Sequence, residues 1–119
     1  TFGLVTPYTD DVQARIIENY HKSGFHCVAE RHLGISDNFS FSEITEDQVE
    51  EMCRAVAADG AEAISIICTN MRGAALSEHL EAELGVVIYD SIAVVVRHAL
   101  ELSGIDPKRV TGWGRIFAY

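Results

Sequence analysis

The residues with the most chemical potential stand together at Cys68, Thr69 and Asn70, where the apolar run Ile64 to Ile67 ends abruptly. The pattern predicts a strand, Ala63 to Ile67, that delivers a thiol to a corner, followed by a helix. In a parallel α/β sheet the ligand crevice lies outside the carboxyl ends of the strands, so a thiol at this point faces it. A helix starting directly after the corner turns its free N–H groups towards Cys68 and favours thiolate over thiol. That chemistry requires Cys68 to be exposed in a cleft. The alternative is that Cys68 closes a buried strand as a small hydrophobe. Three other segments reach the same edge: Tyr8 with Thr9, the loop through Asn38, and Asp90 with Ser91. Tyr8 offers a phenol, Asn38 and Asn70 amides, and Thr69 a hydroxyl, a set of neutral donors that suits a small carboxylate ligand. Each also has an ordinary structural use, as a turn aromatic, an Asx turn or a helix cap.

The elements that must hold these groups follow from periodicity and punctuation. Phe2 to Thr6 is a short apolar strand stopped by Pro7. Thr9 is placed to cap a helix with Asp10 and Asp11 in its first turn and Val12, Ile16, Ile17 and Tyr20 on its apolar face, ending at Gly24. Phe25 to Leu33 is the second strand, and Gly34 to Phe41 a loop. Thr45 to Gln48 carries a capping-box pattern ahead of Val49, Met52, Cys53 and Val56, with Gly60 as the stop. A helix with Leu76, Leu80 and Leu84 runs to Gly85, and Val86 to Tyr89 is the fourth strand. Asp90 or Ser91 then caps a helix carrying Ile92, Val95, Val96, Ala99 and Leu100, which stops near Ser103 and Gly104. Strands alternating with single helices predict an α/β fold, a four-stranded parallel sheet flanked by helices, Rossmann- or flavodoxin-like. One domain spans 1–119, with 105–119 as an irregular tail expected to dock; its aromatics Trp113 and Phe117 make self-association an expectation.

Composition narrows the function classes. With 119 residues, 48% hydrophobic and 23% charged, the chain is long enough to bury a core without staples. A formal charge of -9 argues against nucleic acid and anionic membranes as partners. Cys27, Cys53 and Cys68 are an odd number without CxxC spacing, which disfavours a disulfide framework or zinc knuckle. No apolar run approaches the roughly 20 residues of a membrane span, no leader pattern opens the chain, and a cytoplasmic setting is the expectation. The start at Thr1, inside a strand, suggests a piece of a longer polypeptide. A low-molecular-weight phosphatase needs arginine six positions after its cysteine, where Ala74 stands. A receiver domain needs an aspartate where Cys68 stands. HExxH and GxSxG patterns are absent.

The runs VTPYTDDVQARI, AERHLGISDNFSF, CTNMRGA and LEAELGV, and the closing GWGR, resemble the C-terminal half of the aspartate/glutamate racemase superfamily. The likeness is to the branch of maleate cis-trans isomerases and arylmalonate decarboxylases, closest to its ectoine-utilisation proteins. The resemblance implies a cofactor-independent enzyme of two similar halves that face each other across a substrate cleft, each half supplying a cysteine in the isomerases and racemases and only the C-terminal half in the arylmalonate decarboxylases. It assigns Cys68 as the catalytic cysteine of this half, and Tyr8, Asn38, Thr69 and Asn70 as substrate-positioning groups. It also implies a missing N-terminal half as partner, so that this half alone turns over little. Three functions stay open: a cysteine-dependent isomerase or racemase acting on a small carboxylate such as maleate, an arylmalonate-type decarboxylase, and a non-catalytic carboxylate-binding or docking module.

Overall fold

The computed structural model describes all 119 residues. Four short strands, β1 (Phe2–Thr6), β2 (Cys27–His32), β3 (Ala63–Ile66) and β4 (Val87–Asp90), form one sheet in the order β2-β1-β3-β4. Every pairing is parallel. Five α-helices accompany them: α1 (Asp10–Lys22), α2 (Asn38–Phe41), α3 (Glu46–Ala58), α4 (Ser77–Leu84) and α5 (Ser91–Leu102). From β1 the chain crosses to β2 on one side, while β3 lies on the other. The loops leaving β1 and β3 therefore diverge at the carboxyl edge, which is where such sheets open a crevice.

The strand period of two divides the sheet. Val5, Ile64, Ile66 and Ile88 face α3 and α4, where Val49, Met52, Cys53, Val56, Leu76 and Leu80 complete the main core. On the opposite face α1 packs on β2 and α5 on β4, and between them Ser65, Ile67 and Tyr89 line a shallow groove with Phe2, Tyr20 and Phe25. Local signals end the helices as their sequences dictate. The Thr45 side chain accepts from Gln48 N at 3.2 Å while Gln48 Oε1 accepts from Thr45 N at 2.9 Å, so two N–H groups at the start of α3 are satisfied reciprocally. Gly85 ends α4 in the left-handed conformation, at φ 70°.

Several elements depart from the sequence expectation. The second strand is shorter at both ends, because Phe25 N bonds back to Tyr20 O around Gly24, and Gly34 N bonds to Tyr8 O. Asn38–Phe41, expected as loop, forms one helical turn that Asp37 caps through Phe39 N. In α1 it is Gln13, not Val12, that is buried, at 2% exposure. Its amide is paid for by partners: Thr6 Oγ1 donates to Gln13 Oε1 at 2.5 Å, and Gln13 Nε2 donates to Glu30 Oε2 at 3.0 Å. Thr9 makes no capping bond and donates instead to Asp11. In α5, Val95 stays 64% exposed and only Ala93 is fully buried. The tail packs on its own domain, with Ile116 and Phe117 against Ala93 and Arg97 Nη1 donating to Ile116 O at 2.6 Å. Phe117 is therefore not exposed apolar surface, whereas Trp113 is 47% exposed. No helix is long and apolar enough to cross a membrane.

The Gln13 network ends at His32, whose ring nitrogens lie 2.5 Å from Asp10 Oδ1 and 2.7 Å from Glu30 Oε2. Those two hydrogen bonds, Asp10 first, hold the imidazole pKa above its ordinary value against a small opposing effect of burial. A base with a raised folded pKa stabilises the fold fully below its unfolded value, about 6.5, and loses that contribution as pH rises through the folded value. The urea midpoint should thus fall as pH rises above about 6.5, and His32→Gln should flatten that limb. Parallel pH dependence in the two proteins would remove His32 as the cause.

Candidate active site

Beyond β3 the ladder continues for one bond, Ile67 N to Val5 O at 3.0 Å, and the chain then turns sharply at Cys68. Cys68 has φ 142°, the sole non-glycine residue with positive φ. For a side chain other than glycine such backbone is strained by about 1–3 kcal/mol, and it persists only where neighbours hold it. The holding contacts are visible. Cys68 N donates to Ser91 Oγ at 3.2 Å, Ser91 Oγ donates to Ile66 O at 3.0 Å, and Met71 N closes the turn on Cys68 O at 3.1 Å. Gly73 finishes the loop against the carboxyl ends of β3 and β4: an added Cβ there would lie 2.7 Å from Asp90 Oδ1 and 2.8 Å from Ile66 Cδ1.

The environment of the thiol differs from the sequence expectation in two respects. Cys68 is only 7% exposed and belongs to the main core cluster, so it does not lie open in a cleft. Nor does a helix follow it directly. Thr69 and Asn70 form a turn, Ala74–Leu76 is a single 3-10 turn, and α4 starts at Ser77. The helix start that meets Cys68 is that of α5, through Ser91. Its Asp90 cap accepts from Ile92 N at 2.9 Å and Ala93 N at 3.1 Å. Burial raises the Asp90 carboxyl above the ordinary range against those two bonds, and its Oδ1 has no hydrogen-bond partner.

Tyr8 lies beside Cys68 and packs against the same core cluster. Its ring packs edge-on against Phe41 with centroids 5.5 Å apart, and its backbone N–H donates to Thr6 Oγ1 at 3.3 Å. The phenol pKa is raised, first by burial and then by the charge of, and a hydrogen bond to, the Cys68 sulfur. A neutral phenol beside a thiol can donate to the thiolate and orient it. Asn70 Nδ2 donates to Asn38 Oδ1 at 3.2 Å, joining the turn after Cys68 to the start of α2. The Thr69 and Asn70 backbone N–H groups meet no protein acceptor, and Asn38 keeps its own amide donors. The Thr69 side chain is exposed and bonds to none of the others. Arg72 is tied to Ser42 O at 3.2 Å, so the donors next to the thiol are neutral.

The remaining thiols lie elsewhere and are poor nucleophiles. Cys53 is buried in α3, and burial pushes its pKa up to about 12. Cys27 opens β2 at the opposite end of the sheet, donates to Ala29 O at 3.2 Å, and is also raised by burial. No group of three His, Cys, Asp or Glu side chains is arranged to hold a metal ion. Sequence reasoning placed Ser91 at this edge only as a helix cap and missed Phe41 and Gly73. The one signal available for Ser91 was its position immediately after a strand that ends in a capping aspartate.

The Asp/Glu/Hydantoin racemase family matches this sequence over residues 1–99. The chain belongs to that family. Solved structures agree on the fold of this racemase-family domain. A variant of the Nocardia farcinica maleate cis-trans isomerase with a covalently bound succinylcysteine intermediate superposes with TM-score 0.90 at 23% identity, covering 98% of this chain and 47% of that one. The Pseudomonas putida maleate isomerase gives 0.89 at 21%, over 99% of this chain and 48% of its own. Unliganded arylmalonate decarboxylase gives 0.82 at 25%, over 97% and 51%. The chain thus spans about half the length of these proteins. No curated protein sequence matches it.

Proposed function

We propose that this domain is the Cys68-bearing half of a cysteine-dependent isomerase or racemase that acts, without a cofactor, on a small dicarboxylate such as maleate. The observation that carries this reading is the Cys68 corner itself. Core packing alone does not call for a thiol on strained backbone, with a phenol beside it and two free N–H groups next to it. The relative with a succinylcysteine intermediate supports it by analogy of fold.

In the proposed reaction the Cys68 thiolate adds to one alkene carbon of the substrate. The S–C bond forms, and the π pair moves onto the other carbon and into its carboxylate. The bond between the two carbons, now single, rotates. Return of the pair expels the thiolate and leaves the trans alkene. Tyr8 orients the thiolate before attack and accepts no proton. The N–H groups of Thr69 and Asn70, with the Asn38 amide, stabilise the carboxylate that gathers charge. A second family half supplies the opposite wall and the group acting from the other face, so the isolated domain has little turnover. The domain's other partner is the carboxylate itself. The burial of Cys68 favours a second reading, a carboxylate-binding module without chemistry; a decarboxylase with Cys68 as proton donor shares the same corner.

Alkylation of the three thiols with iodoacetamide, followed by peptide mass spectrometry with and without maleate, tests the proposal. Cys68 should react faster than Cys27 and Cys53, and maleate should slow it. Equal, slow labelling of all three with protection by maleate would leave the binding module. Slow labelling without any maleate effect would remove both readings.

A further inference from the structure

We infer that Ser91 is a positioning residue for Cys68, its hydroxyl serving as the last rung of the β3–β4 ladder. The register pairs Ser65 with Tyr89 and Ile66 with Asp90, so the next pair would set Ile67 opposite Ser91. In a continuing parallel ladder the N–H of Cys68 would donate to the carbonyl of residue 91. That rung cannot form, because β4 ends at Asp90 and the chain turns into α5 at Ser91. The serine hydroxyl replaces it. One oxygen accepts from Cys68 N at 3.2 Å and donates to Ile66 O at 3.0 Å, so it engages the two backbone groups that face β4 across this step.

The hydroxyl is free for this task because it is not the cap of α5. Asp90 Oδ2 satisfies the N–H groups of Ile92 and Ala93, and Ser91 occupies the first helical position, where no side-chain bond is needed. The substitution of a side chain for a backbone rung also accounts for its location. It falls at the step where the backbone reaches φ 142°, a conformation that requires a neighbour able to fix the Cys68 N–H. Alanine or glycine at 91 would leave that N–H to water or to nothing, and the strained residue would relax. Ser91 thus acts on the chemistry through the backbone of Cys68 and not by touching substrate. Its importance for catalysis rests on the function proposed above; its grip on Cys68 does not.

Amide exchange and thiol labelling separate the two. In Ser91→Ala, hydrogen exchange at the Cys68 N–H, followed by NMR, should accelerate about three- to tenfold, with the thermal midpoint near that of the parent because the Asp90 cap remains. The ratio of Cys68 to Cys27 alkylation rates should change alongside it, and Ser91→Thr, which keeps a hydroxyl, should restore both. Ser91→Thr against Ser91→Val, equal in shape and different in the hydroxyl, gives the same comparison if the alanine variant fails to fold. Unchanged Cys68 exchange in the variants without a hydroxyl would overturn the inference. If the parent Cys68 labels no faster than Cys27, the proposed function falls while the exchange data still decide for or against Ser91.

Discussion

Cys68→Ser, made in a polypeptide that joins this chain to a second family half, should lower maleate turnover by more than about a thousandfold, while the fold loses no more than the cost of a buried hydroxyl, about 1–3 kcal/mol. The two side chains are nearly equal in volume, so packing beside Tyr8 is kept, and the backbone strain is the same for either residue. What changes is the nucleophile. A thiol supplies a fraction of thiolate near neutral pH, whereas a serine hydroxyl needs a neighbouring base to act as one. None stands beside Cys68: the adjoining groups are a phenol, amides and N–H donors, and the nearby buried carboxyl, Asp90, is engaged through Oδ2 in capping α5. Turnover, thermal melting and maleate binding measured on the same preparation check the prediction. A serine variant with rates within tenfold of the parent would exclude covalent catalysis through this residue.

Ile64→Ala should cost about 2–5 kcal/mol, a large share of the roughly 5–15 kcal/mol that holds a domain of this size together. Ile64 is fully buried in the middle of β3, in register with Gly3 on one side and Ile88 on the other. The cavity would be hard to close. Gly3 has no side chain to swing inward, and α3 already rests directly on the β1 backbone there: an added Cβ at Gly3 would lie 2.9 Å from Ala61 Cβ and 3.0 Å from Val56 Cβ. The denaturant midpoint should fall steeply, with Ile64→Val falling by about 0.5–1.5 kcal/mol. A cost below about 1 kcal/mol for alanine would mean that the core collapses around the gap more freely than this packing allows.

Features fixed by neighbouring residues in the chain were legible in the sequence, and those fixed across the sheet were not. The Thr45–Gln48 cap, the Gly85 stop and the order of the four strands each depend on a few consecutive side chains and were legible; of the strands only Phe2–Thr6 has the expected ends, the other three being shifted or shortened by one to three residues. The edge on which Tyr8 meets Cys68, and Asn38 meets Asn70, followed from strand direction alone. Thr69 joined it only through its backbone. The burial of Gln13 was invisible because its partners, Thr6 and Glu30, come from two other elements. The helix expected directly after Cys68 was delayed to Ser77 by the loop that wedges Gly73 against Asp90 and Ile66, a contact with β3 and β4 that no local pattern encodes. The exposure expected of Cys68 failed for a similar reason: the core cluster that takes it in is assembled from α3, β1, β3 and β4, and Tyr8 comes to it from the loop after β1.

The all-parallel strand order has a kinetic corollary. No two strands of this sheet can zip as a hairpin, because each pairing must wait for a crossover to close. β1 is central yet is made first, and its second neighbour, β3, is more than fifty residues downstream. During vectorial synthesis one long side of Phe2–Thr6 stays unpaired until the ribosome has released Ala63–Ile66. Such a strand is adhesive, and slow non-local closure prolongs its exposure. Low yield of the domain on overexpression, relieved by slower translation or by chaperones that bind extended apolar segments, would therefore report on the order in which its strands emerge and not on weakness of the finished fold.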